Sequence, residues 1–371
     1  MKVKMLMAQS VVGLTLGVQA AFVTPEMIRG PFPILSTPFN DRCEVDYEDL
    51  AKGVRYVADS GCPGVIWCQS NDAIDLLSFE EKKKGYEACA KAMQGRSTVM
   101  TLGVNGTLES MLREARAVEE IAVRYPDAKI AMISRPPDDG KTQDDIRRYY
   151  EQLGEVARRP VIIQTYVNET CPPPEVGLLL DLARRYPAVY GYIKEESGGD
   201  RANYRMLAEV GLKPAIKTVF SAWGGWQWAF QSRRLGSEGV ISERCAYAPL
   251  LAYIWQQMEN EDKDDRLTQA FALFRLLIDQ RDFPVDGLRG YSLHIFKRLG
   301  IFKSTMSRRY KKSRREAQGT VVAGDDRHSW EPMKLELNPF QIAELEKVYD
   351  DAMRFLAHVA AAPTKREGDV K

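Results

Sequence analysis

Short apolar runs and amphipathic stretches alternate along the first two-thirds of the chain. Residues 31–35, 64–68, 97–102, 129–133, 160–166, 188–194, 214–220 and 239–242 are mostly apolar runs bounded by glycine, proline or polar turn residues. Runs of that length predict buried strands. Between them the apolar positions recur at helical spacing, as with Leu50, Val54 and Val57 in 46–60. The same reading predicts helices over 78–93, 107–125, 142–157, 174–186, 200–210 and 223–235. Ser78 followed by Glu81 is a capping box, which marks the start of the second of these helices.

Eight strands separated by helices, with a period of about 25–35 residues, is the rhythm of a (β/α)8 TIM barrel. An open doubly wound sheet is the competing architecture, and it carries a glycine loop for phosphate after one strand. Neither a GxGxxG nor a P-loop pattern occurs here. Beyond Ala246 the alternation gives way to a C-terminal helical region, with helices over 249–258, 266–280 and 291–299. The basic stretch 304–315 reads as a solvated face or mobile loop, and 321–330 as a loop. Asn338 caps a final amphipathic helix running to about Ala360, and the tail from Pro363 is expected to be disordered. The organisation expected is an N-terminal segment (1–28), a barrel (29–246), C-terminal helices (247–305), and a last part with the basic loop, final helix and tail (306–371).

Composition narrows the function. The chain is 44% hydrophobic and 28% charged, enough for a large core and against global disorder. A net charge of +1 argues against nucleic acid or an anionic membrane as the main partner. The six cysteines are scattered singly and only three histidines occur, so neither a metal site nor a disulfide framework is indicated, and no cofactor is called for. Lys2 and Lys4 ahead of a largely apolar run, with Val18-Gln19-Ala20 after it, outline a secretory signal peptide, although Gln9 and Ser10 interrupt the run. A cytoplasmic location is the expectation, with export as the alternative. No later segment approaches the roughly 18 apolar residues of a membrane span.

The candidate chemistry centres on Lys194. It ends the sixth apolar run and is followed by Ser197-Gly198-Gly199-Asp200, a turn and helix start. Barrel active sites form at the C-terminal ends of the strands. An amine partly desolvated there has a lowered pKa and a free lone pair for attack on a carbonyl. The plain alternative is a lysine that reaches solvent or pairs with a carboxylate. Lys217, inside the seventh run, is a rival expected at mid-strand.

Four passages support the choice of Lys194: Gly30 to Phe39, Val99 to Thr107, Tyr190-Gly-Tyr-Ile-Lys-Glu-Glu-Ser197 and Leu235 to Ser242. Together, from about Arg29 to Leu250, they resemble the dihydrodipicolinate synthase / N-acetylneuraminate lyase family of Schiff-base aldolases. The resemblance implies a 2-oxo acid such as pyruvate held as an imine on Lys194, and a homo-oligomer, dimer or tetramer.

Two departures accompany it. The family's Gly-Thr-Thr-Gly-Glu loop, which holds the substrate carboxylate, is matched here by Cys68-Gln69-Ser70-Asn71-Asp72. Gln69, Ser70 and Asn71 become the substrate-binding candidates, since amide and hydroxyl side chains still donate hydrogen bonds. The family's proton-shuttling tyrosine is not found in Arg135-Pro136-Pro137-Asp138-Asp139, after strand four. Asp138 and Tyr166 are the candidate replacements, against a turn role for the first and core packing for the second. Trp223 and Trp226 are candidates to line the pocket, against packing. Two functions stay open. One is a Schiff-base lyase, aldolase or dehydratase, acting on pyruvate or on another 2-oxo acid, sugar-derived acids included. The other is a catalytically altered protein on the same scaffold that binds a small carboxylate without turnover.

Overall fold

The structure, a computed structural model, describes residues 23–69, 72–166, 171–260, 265–279, 289–311 and 327–361. Eight strands lie in one parallel sheet: β1 (Gly30–Pro33), β2 (Gly64–Trp67), β3 (Val99–Gly103), β4 (Ile130–Ser134), β5 (Val161–Gln164), β6 (Tyr192–Glu195), β7 (Thr218–Ser221) and β8 (Gly239–Ser242). Each pairs with its neighbour in sequence, and β8 pairs back onto β1 in register Phe32 to Ile241. A parallel bridge between Ile34 and Ile66, with the Leu35 amide donating to the Ile66 carbonyl at 2.8 Å, joins β1 to β2. The sheet is thereby rolled into a barrel, as the strand rhythm predicts.

Alternation along the strands sorts side chains into two layers. Phe32, Ile66, Ile133, Ile162, Tyr192 and Phe220 fill the barrel interior. The Phe32 and Phe220 rings meet edge to face at 5.2 Å. Gly64 makes room for Phe32, since a Cβ there would lie 2.2 Å from the ring. Burying each such aromatic contributes about 1.5–3 kcal/mol. Val23 and Ile28 join this inner cluster, so the last residues of the expected N-terminal segment pack with the barrel. Val65, Trp67, Met100 and Ile193 face the other way, toward the helices.

The enclosing helices are α1 (Tyr47–Asp59), α2 (Phe79–Met93), α3 (Leu108–Arg124), α4 (Gln143–Val156), α5 (Val176–Arg185) and α6 (Gly199–Val210). Ser78 and Glu81 form the expected capping box on α2, with the Ser78 amide donating to Glu81 at 2.8 Å. The seventh helix, expected over 223–235, is instead broken. A 3-10 turn at Trp223–Gly225, a short α7 (Trp228–Phe230) and a π turn at Gln231–Leu235 replace it. The cause is local: Trp223, Gly224 and Gly225 all have left-handed φ, 54°, 67° and 84°, which no helix accommodates.

After the barrel come α8 (Ala248–Glu259), α9 (Asp265–Asp279), α10 (Arg289–Arg298) and α11 (Pro339–Ala361). Asn338 caps α11 as expected, accepting from the Gln341 amide at 2.9 Å. The basic stretch departs from expectation. Residues Met306–Tyr310 form β9, which pairs antiparallel with β10 (Trp330–Lys334), Arg308 opposite Pro332. Met306 also bridges to Phe39, just after β1. Arg308 is buried between the Phe39 and Trp330 rings, 4.8 and 4.1 Å from their centroids. Local charge suggested solvent, but distant aromatic and acidic partners bury this residue. The rest of the basic run, 312–315, and the tail from 363 lie outside the described residues.

No helix among the described residues is long and apolar enough to cross a membrane.

Candidate active site

The end of β6 presents two faces. Tyr192 belongs to the barrel interior and Ile193 to the outer layer, so alternation turns Lys194 and Glu196 inward and Glu195 outward. Lys194 is 1% exposed. Its Nζ lies 3.0 Å from Glu196 Oε2, a charge contact whose angle is not that of a directed hydrogen bond. Across the barrel wall, Gln164 on β5 sits opposite Lys194 in register, and its Nε2 donates to the same Glu196 oxygen. The Glu196 amide donates to Thr165 Oγ1 at 2.6 Å, which fixes the backbone just past the strand. Lys194, Glu196 and Gln164 thus form one buried group at the C-terminal end of the barrel. Among the described residues, Thr101 Oγ1, Asn105 Nδ2 and Gln164 Oε1 are also buried without a hydrogen-bond partner. Unpartnered buried polar atoms suit a polar ligand, because each costs about 1–3 kcal/mol when left unmet.

Glu195 anchors the strand from outside. It accepts from Arg205 Nε on α6 at 3.2 Å, from the Ser197 amide at 2.8 Å and from Thr165 Oγ1 at 3.0 Å. Arg205 also donates to Glu209 at 3.2 Å. Burial first, and the Glu195 charge second, push the Glu209 carboxyl well above the ordinary range, against the pull of Arg205. A raised carboxyl contributes its stability below its unfolded value near 4.5 and loses it as pH rises through the folded value. Glu209→Gln removes that loss. The melting temperature of the variant relative to the unsubstituted protein should therefore rise as pH is raised above about 4.5. A difference flat over that range would show that Glu209 binds the same number of protons folded and unfolded.

The other expected residues distribute over the same rim. Gln69 is fully buried after β2; Ser70 and Asn71 lie outside the described residues. Cys68 keeps a left-handed φ of 69°, a backbone shape that favours the glycine of the family loop it matches. Its carbonyl rests against Gly103, where a Cβ would lie 1.6 Å from the oxygen. Asp72, at the end of that loop, accepts from the Thr37 amide at 2.8 Å and from the Thr37 hydroxyl. Asp138 is ion-paired with Arg135 at 3.0 Å, and the same guanidinium holds Asp75 at 2.7 Å. Asp75 in turn accepts from the Tyr310 hydroxyl of β9 at 3.0 Å, so the C-terminal hairpin reaches this side of the rim. Tyr166 is half-buried two residues past the end of β5. Trp223 and Trp226 are 45% and 44% exposed.

The rival lysine is placed elsewhere. Strand β7 begins only at Thr218, so Lys217 precedes it, at the opposite end of the barrel from Lys194. Its Nζ donates to the carbonyls of Pro187 and Tyr190, the latter at 3.1 Å. The pair that sequence reasoning missed is Glu196 and Gln164. The signal was available for the first: residues two apart at a strand end share a face. The second required the register of β5 against β6.

Comparison with known proteins gives a consistent result. Residues 27–273 match the model of the dihydrodipicolinate synthetase family. A 4-hydroxy-tetrahydrodipicolinate synthase of Methanosphaerula palustris is 26% identical over 274 residues, covering 71% of this chain and 90% of its own. The solved dihydrodipicolinate synthase of Rhodopseudomonas palustris superposes with a TM-score of 0.67 at 17% identity, covering 89% of this chain and 99% of the other. The sialic acid aldolase of Ruminococcus gnavus does so with a TM-score of 0.68 at 14% identity, covering 90% and 98%. At such identities the two structures speak for the fold alone.

Proposed function

The chain belongs to the dihydrodipicolinate synthetase family, and on that premise we propose that it is a Schiff-base-forming lyase, an aldolase or dehydratase, acting on pyruvate or another 2-oxo acid. One observation carries the reading: the Lys194 amine is buried at the C-terminal end of a barrel strand, where such folds do chemistry. Lys194 attacks the ketone carbon of the substrate. The resulting iminium draws electrons from the neighbouring carbon, which permits C–C cleavage or loss of a hydroxyl from the carbon beyond. The buried polar atom of Asn105, two residues past β3, supplies hydrogen-bonding capacity at the same end of the barrel.

Borohydride reduction in the presence of pyruvate, followed by peptide mass mapping, tests the proposal. The expected result is a stable adduct on Lys194. Absence of that adduct across a panel of 2-oxo acids would overturn it. The second reading, ligand binding without turnover, is favoured by the Lys194–Glu196 ion pair, which can hold the amine as an unreactive ammonium. That reading requires thermal stabilisation by pyruvate that survives Lys194→Ala.

A further inference from the structure

We propose that Glu196 is the proton-transferring catalytic residue of the Lys194 site, the carboxylate that relieves the lysine of its proton and returns it as the imine forms. The inference rests on the reading of Lys194 as the imine-forming amine.

Three observations converge on Glu196. Its Oε2 is 3.0 Å from Nζ, within reach for direct proton transfer. Both side chains are shielded, Lys194 at 1% and Glu196 at 4% exposure, so the pair is not a chance meeting of surface charges. The carboxylate is also held from a second strand: Gln164 donates to the oxygen that faces the lysine, and Thr165 fixes the Glu196 amide. Four of the other acids at this end are held by different partners. Glu195 faces Arg205, Asp72 accepts from Thr37, and Asp75 and Asp138 pair with Arg135.

The step balances as follows. The Lys194 ammonium gives one proton to the Glu196 carboxylate. The freed lone pair adds to the ketone carbon, a C–N bond forms, and the carbonyl π pair moves to oxygen. That oxygen takes a second proton from the nitrogen, giving a neutral carbinolamine. Glu196 then returns its proton to the hydroxyl, the C–O bond breaks, water leaves, and the nitrogen lone pair closes the C=N bond. The products are a protonated imine, one water and a regenerated carboxylate.

The same contact would serve the opposite purpose if Glu196 merely stabilised the ammonium. Substitution separates the two. In the full chain, Glu196→Gln keeps size and hydrogen bonding but cannot carry the proton. The rate of reductive trapping by pyruvate should fall roughly 10²- to 10⁴-fold, the usual weight of a positioned acid–base group. The pyruvate concentration for half-maximal trapping should change little, because a proton carrier acts on the rate and not on affinity. Trapping at the unsubstituted rate or faster, with the Lys194 adduct intact in the unsubstituted protein, overturns the role of Glu196 alone. No adduct in the unsubstituted protein overturns the lysine reading and this inference with it. If Glu196→Gln fails to fold, Glu196→Asp decides: a slowed rate at unchanged half-saturation supports the role, and an unchanged rate refutes it.

Discussion

Lys194→Met is expected to abolish imine trapping and to lower turnover roughly 10⁴- to 10⁶-fold, the scale seen when one member of a covalent catalytic unit is removed. The substitution has a second consequence that activity assays alone would miss. Glu196 is 4% exposed, and Lys194 is its paired cation. Removing one partner of a buried pair typically costs about 3–5 kcal/mol, because the remaining charge is left uncompensated or must take up a proton. The single variant should therefore melt well below the unsubstituted protein. Lys194→Met combined with Glu196→Gln should recover most of that stability, since no buried charge remains, and none of the trapping. Thermal melts and borohydride trapping on the three proteins check both halves. Turnover within about tenfold of normal in either variant would remove Lys194 from the mechanism, because an essential nucleophile cannot be so easily dispensed with.

The second large effect is expected far from the lysine. Arg308 donates to Glu81 at 2.6 and 3.0 Å, to the Cys43 carbonyl at 2.8 and 3.1 Å and to the Leu76 carbonyl at 2.9 Å, with its plane between two aromatic rings. Arg308→Ala should destabilise the protein by about 3–5 kcal/mol, since it leaves Glu81 and the carbonyls without their shared donor. The pH dependence should change with it. Burial works to raise the Glu81 carboxyl, but Arg308 and Ser78 override it and hold the group below the ordinary range. A lowered carboxyl adds stability above its unfolded value near 4.5, and that stability is lost as pH falls through the folded value. The Ala variant should lose part of this acid-side slope. Arg308→Lys should fall between, keeping the charge but not the planar fork. Equal melting of all three proteins would show that the Arg308 contacts contribute nothing to stability.

Much of the fold was legible because the barrel is built from local pattern. Strands buried on both faces read as apolar runs, and capping at Ser78 and Asn338 is a matter of three residues. Of the two failures, one was local and one was not. The helix after β7 broke because successive left-handed residues, beginning with Trp223, override its periodicity. Strand β9 was hidden because Arg308 reads as solvent-seeking until Glu81, 227 residues earlier, is placed beside it. The candidate site divides in the same way. Lys194 was singled out as a candidate from its position at a strand end, whereas the Gln164–Glu196 contact exists only once β5 and β6 are set in register.

The hairpin of β9 and β10 has a bearing on how the molecule comes to be made. Its anchors, Cys43, Asp75, Leu76 and Glu81, are translated among the earliest residues, whereas Arg308 and Tyr310 leave the ribosome after every barrel strand. The first two loops of the barrel therefore wait, during synthesis, for residues that emerge more than two hundred positions later. Contacts of such long sequence separation form slowly. A recombinant fragment ended after the eighth strand would carry Glu81 without Arg308, so it is a poor stand-in for the whole protein in the bench work described above.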